Sequence, residues 1–278
     1  MQLKNILVPV DFSNCSKNAL KIGIDLAKKH NSTLHLVNAI HIPAPQVDVT
    51  GGHVMVEPVF EDYEKRAAHE FEQLKKEFEQ LNEVSHQTHT LISIVSEAVR
   101  TCIDDKSIDF IVMGTKGNHS TLEKLIGGTS AEVVRSASVP VLLVPENISS
   151  LNLAKIGYAT DLGEIDDINR LEPLLYFAQM ANAEVQVFYV ARSLDDMSSV
   201  KSLQSQKISD YLNGVAHSFH CVEDKKITHG IFEFIETHQL DMLTMYPRKH
   251  GLLDRIIKGS VTKTIAMDIH IPLLSIHE

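Results

Sequence analysis

The chain repeats itself at half its length, and that constrains its fold more than any other feature. "KNILVPVDFS" at 4–13 is answered by "KIGYATDL" at 155–162: a basic residue, a short apolar run, then an aspartate, Asp11 or Asp161. "STLHLVNAI" (32–40) is answered by "AEVQVFYVA" (183–191), and "DFIVMGTKG" (109–117) by "DMLTMYPRK" (241–249). Each half closes on an apolar run, "VPVLLVP" (139–145) or "IPLLSIH" (271–277). A chain of 278 residues is comfortable for two such units. The polar stretch "ENISSLN" (146–152) predicts a boundary between domains spanning 1–147 and 148–278.

Within each half, short apolar strands alternate with longer segments of helical period, which predicts an α/β fold with a parallel sheet covered by helices. Ala67, Phe71, Leu74, Phe78 and Leu81 form one stripe of a long helix, expected to pack on the sheet. Segment 41–60, with three prolines and Gly51-Gly52, reads as a long loop over the mouth of the first domain. Asp11, Ala39 and Gly114 each follow a strand, so they should converge on one rim, where open parallel sheets bind ligands.

Four of the thirteen glycines, Gly114, Gly117, Gly127 and Gly128, fall within residues 112–134. A strand ending at Met113 and followed by Gly114-x2-Gly117 offers backbone able to take positive φ and approach a ligand. Gly127-Gly128-Thr129-Ser130 then opens a helix, whose N-terminus suits a phosphate, with Ser130 a candidate N-cap. Neither a Walker A loop nor a G-x-G-x-x-G fingerprint is present. On spacing alone, a phosphate cradle and a structural glycine turn remain equal readings.

Composition narrows the function classes. The formal charge of −10 argues against broad nucleic-acid binding. No apolar run approaches the roughly 20 residues of a membrane span, and the N-terminus reads as a strand instead of a signal peptide. Cys15, Cys102 and Cys221 form no C-x-x-C pair, which suits a reducing cytoplasm. No nucleophile with its base is recognisable, so catalysis is expected to be absent or slow and incidental.

Gly114-x2-Gly117-x9-Gly127 after "DFIVMGT", between "ILVPVDFS" and "VPVLLVP", resembles the universal stress protein family. The element order of both halves extends the resemblance over essentially the whole chain. It implies two tandem open five-stranded parallel sheets with helices on both faces, an adenine nucleotide alpha hydrolase-like, Rossmann-like fold. The family's ATP-binding branch carries G-x2-G-x9-G-[ST], which implies ATP or another adenine nucleotide, with magnesium as an admissible companion. By that resemblance Pro9, Val10 and Asp11 border the adenine and ribose side, and Ala39 packs on the adenine. Met113 and Gly114 follow the fourth strand, while Gly117, Gly127, Gly128, Thr129 and Ser130 line the phosphates. One departure stands at Gly128, where the family places a hydroxyl. Its loss costs about 1 kcal/mol, roughly fivefold to tenfold in affinity.

In the second half Tyr246-x2-Lys249-x9-Gly259-Ser260 keeps the spacing but not the first two glycines, and Pro247 stiffens the loop. Asp161 and Val190 keep the adenine-side positions, yet this domain is expected not to bind ATP in the family manner. Because single-domain relatives dimerise through their last strand, 141–144 and 273–276 are expected to pair within the chain. That pseudo-dimer would leave another face for an unidentified protein partner or a homodimer. The alternative reading is a scaffold that binds no nucleotide. "HSFHC" (217–221) offers too few clustered ligands for a metal site, and Cys15 reads as a packed thiol.

Overall fold

A computed structural model describes residues 1–41, 57–115, 128–191, 199–246 and 270–277. In the first half, β1 (Asn5–Pro9), α1 (Asn14–His30), β2 (Thr33–Ala39) and α2 (Glu57–Glu77) precede β3 (His86–Leu91). They are followed by α3 (Val95–Lys106), β4 (Phe110–Thr115), α4 (Gly128–Ser136) and β5 (Val141–Pro145). The second half runs β6 (Lys155–Ala159), α5 (Glu172–Ala181), β7 (Glu184–Ala191), α6 (Ser199–Tyr211), β8 (His217–Glu223), α7 (Ile227–His238), β9 (Met242–Met245) and β10 (Leu273–Ser275). The strands form one sheet in the order β3-β2-β1-β4-β5-β10-β9-β6-β7-β8. Each half is parallel throughout, and the halves meet where β5 and β10 pair antiparallel.

The local chemistry is repeated along with the topology. Asp109, just before β4, accepts the N–H groups of Lys4 and Asn5 at 2.7 and 3.1 Å, tying β4 to the start of β1. Asp241, just before β9, does the same for Ala154 and Lys155, both at 2.8 Å. Asp11 and Asp161 each pin the turn that leaves the first strand of their half. Ser13 N–H donates to Asp11 Oδ1 at 3.1 Å, and Gly163 N–H to Asp161 Oδ1 at 3.0 Å. Between them Phe12 and Leu162 sit at φ 62° and 53°, left-handed values that a side chain adopts only when its surroundings hold it there. Phe12 is held by an edge-on contact with Phe71 of α2, ring centroids 5.3 Å apart.

Helices cover both faces, and each apolar core runs through both halves. One joins α1, α2, α5 and α6 to the sheet through Leu20, Phe71, Phe177 and Ile208. The other joins α3, α4 and α7 through Val99, Val134 and Phe234. The stripe of Ala67, Phe71, Leu74 and Leu81 is buried as its period requires, although α2 ends at Glu77 and a 3-10 turn carries Leu81. Helix α2 also begins at Glu57, so the last residues of the expected 41–60 loop are helical; residues 42–56 lie outside the described residues.

Between the halves Leu274 faces Leu142, both fully buried, in register with Leu273–Leu143 and Ser275–Val141. Phe110 meets Phe177 with centroids 5.7 Å apart. The last turn of α1 reaches α5, where Lys29 Nζ donates to the Met180 carbonyl at 3.5 Å and the Tyr176 hydroxyl bonds to His30 Nε2. Burial pushes that hydroxyl to about 12, so it stays protonated, and it also donates to Met180 Sδ at 3.4 Å.

The halves differ most where their first helices begin. The strand registers make Glu164 the counterpart of Asn14 and Tyr246 the counterpart of Gly114. Helix α1 starts at Asn14, whereas α5 starts only at Glu172, after a 3-10 turn at Ile168–Leu171.

Candidate functional site

Strand β1 is followed by α1 on one face of the sheet, and its neighbour β4 leads toward α4 on the other, so a crevice opens at their carboxyl ends. Three strand ends build its floor. Pro9 ends β1, and Val10 stays attached to β2 by an N–H bond to the Val37 carbonyl at 2.8 Å. Asn38 Nδ2 donates to the Val10 carbonyl, also at 2.8 Å. Ala39 ends β2; Ile40 N–H bonds to Leu91 of β3, so by alternation Ala39 turns its own N–H and C=O toward β1. Strand β1 has ended there, and among the described residues no backbone bond from the Ala39 N–H or to its C=O is formed on that side.

Met113 and Gly114 do not follow the fourth strand but belong to it. Strand β4 continues to Thr115, because Gly114 and Thr115 still pair with Val144 and Pro145 of β5. Gly114 is also absent from the residues of positive φ. Its need for glycine lies on the side of α1: a Cβ there would stand 2.5 Å from the Cys15 carbonyl oxygen and 2.8 Å from Cys15 Sγ. The first turn of α1 thus lies against β4, capped by Ser13, whose hydroxyl accepts the Ser16 N–H and donates to Asp11 Oδ1 at 2.5 Å.

Opposite stands α4. Gly128 is its first residue and is exposed, with nothing within 4 Å of a would-be Cβ. Ser130 is therefore inside the first helical turn and not its cap, and only 4 % of its surface is exposed. Among the described residues its hydroxyl has no hydrogen-bond partner.

Pro9, Val10, Asp11, Ala39, Met113, Gly114, Thr129 and Ser130 line one cavity of about 280 Å³. Gly128 does not line it, and Gly117 and Gly127 lie outside the described residues. Ser13, Cys15, Ser16, Val37 and Val95 complete the wall. The volume is near the lower end of the range of about 300–1,000 Å³ typical of small-molecule sites. The wall combines apolar strand ends with the hydroxyls of Thr129 and Ser130 at a helix N-terminus, where partial positive charge favours an anion.

Ser13, Cys15, Ser16, Val37 and Val95 are the lining residues that sequence reasoning missed, and the first three share one origin. Their signal was the N-cap serine two residues after Asp11, which brings the first turn of the next helix to the same rim. "HSFHC" lies on β8, an edge strand. His217 Nε2 meets Ser209 Oγ at 2.9 Å and its Nδ1 meets the Val215 carbonyl at 2.8 Å, so both ring nitrogens are occupied. No helix among the described residues is long and apolar enough to cross a membrane.

Such a crevice, with the first turn of a helix on its wall, places the chain among open α/β proteins. The sequence model of the universal stress protein family matches residues 2–145. The chain belongs to that family. It is 30% identical over 146 residues to universal stress protein A homolog 1 of Coxiella burnetii, covering 52% of this chain and 97% of that protein. It is 32% identical over 142 residues to the universal stress protein in the QAH/OAS sulfhydrylase 3′ region of Thermus aquaticus, covering 51% and 98%. A solved universal stress protein from Archaeoglobus fulgidus has the same fold over both halves. Its TM-score is 0.70 at 17% identity, covering 99% of this chain and 96% of that one.

Proposed function

We propose that the chain is a regulatory stress-response protein whose first domain, 1–147, binds ATP or a related adenine nucleotide. The observation that carries this reading is Ser130, a residue 96% buried in the first turn of α4, which lines the cavity at the end of β1 and β4 with a hydroxyl that has no hydrogen bond among the described residues. A hydroxyl at a helix N-terminus on a cavity wall is placed to donate to a phosphate oxygen. The unpaired N–H and C=O of Ala39 suit the donor–acceptor edge of an adenine at the other end of the same cavity. Asp11, Ser13, Ser16 and Thr129 add to the polar lining, Gly117, Gly127 and Gly128 are read as phosphate residues from the sequence spacing, and magnesium would accompany the phosphates.

The second domain, 148–278, is read as a degenerate copy that holds no nucleotide. Two observations support this: Tyr246 occupies the register position of Gly114, and the α-helix that follows β6 begins only at Glu172, after a 3-10 turn at Ile168–Leu171, whereas α1 begins at Asn14. The intrachain β5–β10 pairing takes the place of a dimer between two single domains. A protein partner, or a second copy of the chain, would then read the occupied state on a remaining face in the cytoplasm.

The test is to denature purified protein and identify the released small molecules by mass spectrometry, beside thermal unfolding with ATP and magnesium. A released adenine nucleotide, or a raised midpoint, supports the reading; saturation at 100 times Kd stabilises by about 2.7 kcal/mol. No nucleotide and no shift would leave the scaffold reading instead.

A further inference from the structure

Two imidazoles meet in the first half at a place where the second half has a glutamine and one imidazole. His35 on β2 is 3 % exposed. Its ring lies nearly parallel to that of His89 on β3, with planes 10° and centroids 5.4 Å apart, so the two meet edge to edge. Nδ1 of His35 lies 3.1 Å from Nε2 of His89, and its Nε2 lies 3.3 Å from Oδ1 of Asn5 on β1. Side chains thereby join β1, β2 and β3 at the outer margin of the sheet.

The donors and acceptors admit one arrangement. Asn5 Nδ2 donates to the Ser107 carbonyl at 3.2 Å, so the amide oxygen faces His35. A carboxamide oxygen only accepts, hence Nε2 of His35 carries a proton. Nδ1 of His35 is then an acceptor, and Nε2 of His89 supplies the proton between the rings. A first added proton has a place, Nδ1 of His89, that leaves both bonds intact. A second must go to Nδ1 of His35, where N–H would face N–H at 3.1 Å.

The surroundings resist that second charge. Burial, then His89, then Lys106 in the last turn of α3 hold His35 below the ordinary imidazole range; burial and Lys106 do the same to His89. Asp109 spends Oδ2 on the N–H groups of Lys4 and Asn5, and its buried Oδ1 reaches no partner among the described residues, neither ring included. Among the described residues, no carboxylate hydrogen-bonds or pairs with either ring. His86, also on β3, faces the other side of the sheet, where its Nδ1 meets the Val84 carbonyl at 3.2 Å.

We propose that His35 and His89 form an acid-operated latch: the pair holds one proton, and a second parts the rings and frees edge strand β3 from β2. Strand β3 leads through residues 92–94 into Val95, a wall of the cavity. On the reading that this cavity holds a nucleotide, the latch also couples the site to acidity. The second half supplies an internal control. Leu7 pairs with His35 as Gly157 pairs with Gln186, and Val37 with His89 as Phe188 with His220. There Gln186 Nε2 donates to Glu184 at 3.4 Å, while His220 meets Ser218 Oγ at 2.9 Å and the ring of His238 on α7 at a centroid distance of 5.1 Å, so no imidazole pair bridges the two strands.

Amide hydrogen exchange of residues 86–91 tests the latch, with 217–223 of β8 as reference and exchange times scaled for the intrinsic effect of pH. Between about pH 7.5 and 5, wild-type protection at 86–91 should fall roughly tenfold further than at 217–223. His35→Gln and His89→Gln should each remove that difference, and either variant suffices if the other does not fold. Equal losses in wild type and variant, or equal losses at both edges, would overturn the latch. So would imidazole titration by NMR in the wild type showing both rings charged while 86–91 stays protected. No nucleotide enters the experiment, so its outcome is separate from that of the binding test.

Discussion

Gly114 and Cys15 touch so closely that a single methyl group on the glycine would stand 2.5 Å from the cysteine's carbonyl oxygen. The contact is backbone against backbone, with little freedom to yield. Gly114→Ala should therefore lift the first turn of α1 from β4, costing about 1–3 kcal/mol as overpacking does. Urea unfolding checks the stability, and ATP binding should weaken with it, because Ser13, Cys15 and Ser16 line the cavity from that turn.

Gly128 is the opposite case. It is exposed at the start of α4, with open space where a Cβ would be and no positive φ to forbid one. Gly128→Ser should fold with unchanged stability and, by restoring the family's hydroxyl, tighten ATP binding roughly fivefold to tenfold. Equilibrium titration of both proteins side by side measures the gain.

Ser130→Ala removes the buried hydroxyl that carries the binding proposal. A hydrogen bond to a charged group contributes about 1.5–3 kcal/mol, so ATP affinity should fall at least about tenfold. The unliganded protein should lose little stability, since that hydroxyl has no partner to abandon among the described residues. Thermal unfolding with and without ATP separates the two effects.

The two kinds of glycine show where sequence reasoning reached and where it stopped. The repeat, the strand ends and their common rim were legible because buried parallel strands are near-continuous apolar runs, as in "NILVP" and "VLLVP". Strand β3 was not: His86–Leu91 is polar and lies at the sheet's edge, where only one neighbour imposes a pattern. Strand β8, with histidines at 217 and 220, is obscured for the same reason. Gly114 was read for its freedom at positive φ, yet what requires it is a helix that is distant in the pattern and adjacent in space. The Cys15 and Ser16 wall was hidden likewise, since spacing says which residues a turn contains but not what that turn rests on.

Stability should fall in mild acid. His30, His35, His89 and His220 all have lowered values, with burial the largest cause in each. The unfolded chain takes protons at these residues near pH 6.5, while the folded chain resists until lower pH. Their contribution is therefore fully present above about pH 6.5 and is lost as pH falls from there toward the folded values. Unfolding midpoints in urea at a series of pH values test the sign.

The junction of the halves should be as sensitive as a core. Leu274 and Leu142 are both fully buried and directly opposed. Leu274→Ala should cost about 2–5 kcal/mol, measured by urea unfolding, since it empties volume between two strands with neighbours on both sides.

Calorimetric titration of the full chain with ATP and magnesium tests the central reading most directly, because it counts sites as well as detecting them. The predicted result is saturable binding of about one nucleotide per chain, weakened in Ser130→Ala by at least about tenfold. No heat of binding, or two equivalent sites per chain, would contradict it.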